Sequence, residues 1–221
     1  MSKSIYSLVL SDGVVEAVDA LARSAGISRS AMINRVLAER VAFTTPEMRL
    51  QEVLQSLENS LLGAPLGAFM LSEKTAGGVL SARTSLKYRY KPTVKYSVEI
   101  FSENGRRAGE LRVSFRTQNA RLIGDLTGFF RCWADLEQRY IAHRLSQDIV
   151  YTISDGRFTR TLNSPAGDVS DDELGAAVAE YMSAFDGAMK EYFTLLPDTA
   201  AAVSAAEEYY KKQISTQKII I

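Results

Sequence analysis

The side chains with the strongest claim to chemistry are few. His143 is the only histidine and Cys132 the only cysteine in 221 residues. A His-based metal site or triad therefore has no second imidazole. His143 falls near a helix C-terminus, where a partly protonated ring is mildly favourable. Cys132 cannot close an intramolecular disulfide and lies in a helical apolar pattern, as a buried small hydrophobe would. Asp168, Asp171, Asp172 and Glu173 crowd carboxylates together and could suggest a metal. A helix N-terminus explains them more simply, as cap and dipole residues. No Walker loop, dinucleotide fingerprint or nucleophile elbow occurs. Nothing here supports an enzyme, and neither a cofactor nor a metal is expected.

Residues suited to phosphate are better represented. Ser28 is placed to cap a helix, which leaves the amides of Arg29 and Ser30 at its first turn. The hydroxyls of Ser28 and Ser30 and the guanidinium of Arg29 are further donors to a phosphate oxygen. The other reading is a plain cap beside a solvated arginine. Arg23 and Arg35 read as solvated or ion-paired. The chain carries 26 basic and 26 acidic residues, yet residues 83–121 hold ten basic against three acidic. Within them Lys87, Arg89, Lys91, Lys95, Arg112 and Arg116 alternate with apolar positions, so a regular register puts them on one face of a hairpin. Two readings stand for that face: a surface that is solvated or neutralised by the acidic C-terminal helices folding over it, or a binding surface for a phosphate backbone.

These residues need elements to hold them. Ser4 to Leu10 alternates Tyr6, Leu8 and Leu10 onto one face, as a strand does. Ser11 or Asp12 caps a first helix with Val14, Val18, Leu21, Ala22 and Ala25 on its apolar stripe, closed by Gly26. Ser28 opens a second helix with Met32, Ile33, Val36 and Leu37 inward. One strand and two short helices bury too little surface to stand alone, and both strand edges are unpaired.

Pairing that strand with its copy in a second subunit settles both problems. The strand alternation ending in Leu10-Ser11-Asp12 and the helix opening Gly26-Ile27-Ser28-Arg29-Ser30-Ala31-Met32-Ile33 resemble the ribbon-helix-helix family, which includes the Arc, MetJ and CopG repressors. The resemblance covers residues 3–43. It implies a homodimer or higher homo-oligomer whose two-stranded ribbon enters the major groove of double-stranded DNA. Lys3, Ile5, Ser7 and Val9 would be the outward ribbon positions, and Ser28, Arg29 and Ser30 the backbone contacts. Ile5 and Val9 depart from the polar or basic residues usual there. They can touch thymine methyls, while hydrogen-bond reading falls to Ser7 and Lys3.

Further along, Thr45-Pro46-Glu47 starts a helix to about Leu62, with Leu50, Val53, Leu54, Leu57 and Leu61 on one face. Gly63–Gly78 is rich in Gly and Ala and reads as a linker. From Leu80 the period is that of strands, through Leu86, Tyr88 and Tyr90, then Val94, Tyr96, Val98 and Ile100. Asn104-Gly105 and Asp155-Gly156 mark two hairpins. A helix is predicted over about 120–144. Another runs from the capping box Ser170-Asp171-Asp172-Glu173 to about Leu196, and an Ala-rich one follows from about Thr199. The apolar end Ile219-Ile220-Ile221 is expected to dock on a core or a partner.

The expected fold is α+β. A ribbon-helix-helix dimerisation unit (1–43) precedes a connecting helix and Gly/Ala-rich linker (44–79) and an antiparallel-sheet-plus-helices domain (80–221). No apolar run approaches the roughly 20 residues that span a bilayer, and no signal peptide is read, so a cytoplasmic protein without a membrane partner is expected. The leading function is a sequence-specific DNA-binding transcriptional regulator, a repressor, whose second domain senses an effector, oligomerises or adds DNA contacts. A second reading is an antitoxin or assembly protein whose large domain binds a protein partner. A third is an enzyme within 80–221.

Overall fold

A computed structural model describes residues 5–63, 69–72, 78–88, 91–101 and 107–221. The protein is α+β, with six α-helices and a six-stranded antiparallel sheet among the described residues. It divides into two units, Met1–Met48 and Arg49–Ile221.

In the first unit, α1 (Asp12–Ala25) and α2 (Arg29–Arg40) form a helical hairpin. Gly26 closes α1 with a φ of 66°, a conformation costly for any residue with a Cβ, and its N–H returns to the last turn. Ser28 Oγ accepts the Ala31 N–H at 3.2 Å. Ser11 holds the cap position of α1 without a side-chain hydrogen bond.

Two expectations are corrected here. Residues 5–10 form no strand, because a strand exists through its ladder and this segment pairs with no strand among the described residues. Ser4 and Lys3 lie outside the described residues. Of the α1 stripe only Ala22 is buried, while Val14 and Leu21 are exposed. On α2, Met32 and Ala38 are buried but Val36 and Leu37 are exposed. Two short helices cover only the strip between them, so the outer apolar groups need another surface.

The second unit takes the body of α3 (Pro46–Gly63), whose first turn is capped by Thr45 Oγ1 at the Met48 N–H, 3.2 Å. The strands are β1 (Met70–Leu71), β2 (Val79–Ser85), β3 (Thr93–Ile100), β4 (Arg107–Phe115), β5 (Tyr151–Ser154) and β6 (Arg157–Asn163), in the order β1-β2-β3-β4-β6-β5. α4 (Ala120–Tyr140) connects β4 to the β5–β6 hairpin, and α5 (Asp171–Leu195) and α6 (Thr199–Ile214) follow. The helix predicted to reach residue 144 ends at Tyr140 and continues as a short 3-10 turn, Ala142–Arg144.

Alternation in the strands leaves one sheet face covered. Val94, Tyr96, Val98, Leu111, Val113 and Phe158 pack with Phe129, Phe130 and Trp133 of α4 and Met182, Phe185 and Met189 of α5. Each such side chain contributes about 1.5–3 kcal/mol on burial. Val53, Leu54, Leu57 and Leu61 of α3 join this core, and so does Ile221. The carboxylates at the start of α5 take structural roles. Glu173 accepts the Ser170 N–H at 2.9 Å, and Asp171 is held by Arg49 of α3 at 2.9 Å.

Residues 86–88 and Lys91 are a further correction, Arg89 and Tyr90 lying outside the described residues. They do not extend β2 but turn the chain into β3, Leu86 N–H bonding to Pro92 O (3.0 Å) and Lys91 N–H to Tyr88 O (2.9 Å). Lys91 takes a φ of 42°. Ser85 already faces Thr93, so the chain must reverse between them. The apolar half of the alternation is satisfied by packing instead: Tyr88 sits edge-on to Phe193.

A close approach of α3 and α5 makes a prediction. A Cβ at Gly175 would lie 2.4 Å from the Val53 carbonyl oxygen and 2.8 Å from Leu57 N, both main-chain atoms. Gly175→Ala is therefore expected to lower the stability of this unit by about 1–3 kcal/mol, although alanine favours helix. Thermal unfolding checks this; an unchanged or higher midpoint would show that the helices part at no cost.

Candidate nucleic-acid interface

The first unit is defined by exposed apolar surface. Of the seventeen large hydrophobic residues exposed among the described residues, eleven lie between Ile5 and Phe43. Ile5 and Val9 are fully exposed, whereas exposure falls along the alternate set from Tyr6 at 82 % through Leu8 at 59 % to Leu10 at 39 %. All of these residues are exposed, and they form no strand. Tyr6, Leu8 and Leu10 are the better covered side, and Ile5, Ser7 and Val9 stand clear.

At the start of α2, Met32 N–H bonds to Ser28 O and Ala31 N–H to Ser28 Oγ. The amides of Arg29 and Ser30 have no acceptor among the described residues, as the first turn of a helix dictates. The Ser30 side chain is exposed. Arg29 is not a free cation. Its Nε and Nη2 both bond to the carboxylate of Asp19 on α1, each at 2.5 Å. The hydrogen bond from Arg29 holds the Asp19 carboxyl below the usual range, and the same bond raises Arg29. The pair is exposed, so water screens it and it can open at little cost. Arg35 pairs with Glu39 one turn on.

The second predicted basic group does not form one face. Arg89 lies outside the described residues, and Lys87 and Lys91 belong to the β2–β3 turn. Lys95 and Arg112 do project from the uncovered sheet face, and Arg116 is exposed just beyond β4. Arg112 is neutralised there by Glu99 at 3.0 Å and by Glu110. Sequence reasoning misses two cations of that face, Arg83 on β2 and Arg157 on β6. Arg83 shares the parity of the residues that were named; Arg157 joins them only because β6 pairs with β4.

A buried ion pair is also missed. Glu137 of α4 and Arg160 of β6 are both fully buried, 2.9 Å apart, and the guanidinium donates to the main-chain oxygens of Thr161 (3.1 Å) and Ile221 (2.6 Å). It lies 4.4 Å from the ring centroid of Tyr181, whose hydroxyl donates to Glu137 at 3.2 Å. Burial raises the Glu137 carboxyl against the pull of Arg160. The signal for this pair is parity. Glu137 continues the Leu126, Phe130, Trp133 stripe, and Arg160 lies between Phe158 and Leu162. With no exposed atoms the pair serves the core.

Two further reactive side chains, Cys132 and His143, lie apart from this pair. Burial pushes the Cys132 thiol up to about 11, so it stays protonated at neutral pH. His143 is exposed in the 3-10 turn. Among the described residues no three His, Cys, Asp or Glu side chains gather as a metal would need. Nor is any helix there long and apolar enough to cross a membrane. No family model, curated protein or solved structure matches this chain.

Proposed function

We propose that this protein is a cytoplasmic DNA-binding transcriptional regulator, a repressor, acting as a homodimer through a ribbon-helix-helix unit in residues 3–43. The observation that carries the reading is the apolar surface of the first unit: eleven exposed large hydrophobic residues, five of them in the partnerless segment 5–10. A second copy of the same segment supplies a ladder partner and covers that surface in one step. The two-stranded ribbon then offers Ile5, Ser7 and Val9, with Lys3, to the major groove, and the amides of Arg29 and Ser30 to a phosphate. Selection of random duplexes by the purified protein tests the reading. A recovered sequence with two-fold symmetry supports it, and recovery no better than a random-sequence control overturns it.

The Asp19–Arg29 pair yields a sharper test. If Arg29 swings to phosphate, Asp19→Asn frees it and removes a repelling charge. Duplex affinity is then expected to rise about 5- to 10-fold at 0.1 M salt at a nearly unchanged logarithmic salt slope, because the number of phosphate contacts is the same. Arg29→Ala should lower affinity about equally for all sequences and flatten the slope by about 0.9. Equal losses from both substitutions would confine Arg29 to tying α1 to α2.

The same pair favours a second reading, in which the unit serves only to dimerise an antitoxin or assembly protein and the large unit binds a protein. That protein alone would not bind duplex DNA.

A further inference from the structure

The uncovered face of the sheet has a charge distribution that its own residues do not balance. Arg83 on β2 stands directly opposite Lys95 on β3, Lys95 opposite Ser114 on β4, and Ser114 opposite Arg157 on β6. All three cations are exposed. Among the described residues none of them has a carboxylate within ion-pair distance, whereas Arg112 on the same face has two. Like charges directly opposite on neighbouring strands repel and weaken the sheet. At one strand spacing, about 5 Å, Arg83 and Lys95 are well inside the screening length of about 8 Å. The next row is Ser81, Ser97, Arg112 and Thr159, in register across the same four strands. Its short hydroxyl side chains leave the long cationic ones standing above a low surface. Among the described residues the acids of this face, Glu99 and Glu110, lie a row further on and are drawn to Arg112.

We infer that this row, Arg83–Lys95–Arg157, is a second surface for the phosphate backbone of duplex DNA. The inference rests on the proposed function in taking DNA as the polyanion. The geometry suits a duplex. From β2 to β6 the row crosses three strand spacings, about 14 Å, against a major groove about 12 Å wide. Flexible cations at its ends can therefore reach phosphates on the two lips of the groove, with hydroxyls beneath them as further donors. The row carries no base-reading amides or aromatic rings, so it adds affinity and salt dependence without sequence preference.

The test uses the full chain and a random-sequence duplex of about 30 base pairs, wide enough for either surface. Arg83→Gln, Lys95→Gln and Arg157→Gln together are expected to flatten the logarithmic salt slope by about two to three, each neutralised phosphate accounting for roughly 0.9. The dimer should persist, and the thermal midpoint should hold or rise as repulsion is relieved. Arg112→Gln, starting from a neutralised arginine, should change the slope by less than one. The same triple change in a chain carrying both Leu8→Pro and Val9→Pro, which cannot form the ribbon in either register, should remove the residual low-salt binding. An unchanged slope in the wild-type background would overturn this inference and leave the ribbon as the DNA-binding element. Binding that survives the double Leu8→Pro, Val9→Pro change in full and vanishes with the triple change would sustain it and sink the ribbon reading. If the wild-type chain ignores duplex but binds anionic vesicles through the same three residues, the partner is a lipid surface and the assignment to DNA is wrong.

Discussion

Glu137→Gln is expected to cost the second unit about 3–5 kcal/mol of stability, close to what removing one member of a buried ion pair costs elsewhere. The substitution keeps an acceptor for Tyr181 and removes the charge. Arg160, fully buried at the centre of the network, is then left with main-chain oxygens and the Tyr181 ring as its partners. No water-exposed route lets the guanidinium leave, and an arginine stays protonated even without its counter-ion. For a unit of this length the loss corresponds to a fall of roughly 6–20 °C in thermal midpoint. Glu137→Leu combined with Arg160→Met should restore most of it, because two apolar groups need no counter-charge. The pair therefore costs a great deal to break and little to replace. A single substitution that loses less than about 1 kcal/mol would mean that solvent reaches Arg160.

The largest effect on function is expected at the ribbon. Pro at position 8 or 9 should convert the proposed dimer to a monomer and abolish specific duplex binding, with the unfolding of the second unit unchanged. In an antiparallel pair, successive residues alternate between exchanging hydrogen bonds and facing away. One of Leu8→Pro and Val9→Pro must therefore remove a ladder donor in either register. The interface is symmetric, so each substitution occurs twice. Two lost donors with their partners stranded cost about 2–6 kcal/mol, or from about 30-fold to about 10⁴-fold in dimer affinity. Sedimentation over a concentration series reads the change directly. A wild-type chain that sediments as a stable monomer would remove the basis of the proposal, whatever its affinity for DNA.

Much of the architecture was legible without coordinates because it is written within a few residues. The caps at Ser28, Thr45 and Ser170 and the turn at Asp155-Gly156 each depend on one side chain near its own backbone. The alternation of Val94, Tyr96 and Val98 likewise marks the covered face of β3 before its neighbours are known. The same local reasoning erred at Leu86–Tyr88. There the alternation runs into a turn, and Tyr88 is covered by Phe193 of α5.

The sequence by itself determined the helices, the alternation of β3 and β4 and the apolar character of residues 5–43. All of these follow from spacing along the chain. Only the tertiary structure decided which distant residues meet. β6 lies beside β4 because α4 carries the chain across the covered face, and that placement sets Arg157 in line with Arg83 and Lys95. It also puts Arg160 under Glu137, and the contact of α3 with α5 leaves Gly175 no room for a Cβ. Register between elements so far apart is chosen by the packing of whole surfaces, and no single segment encodes it.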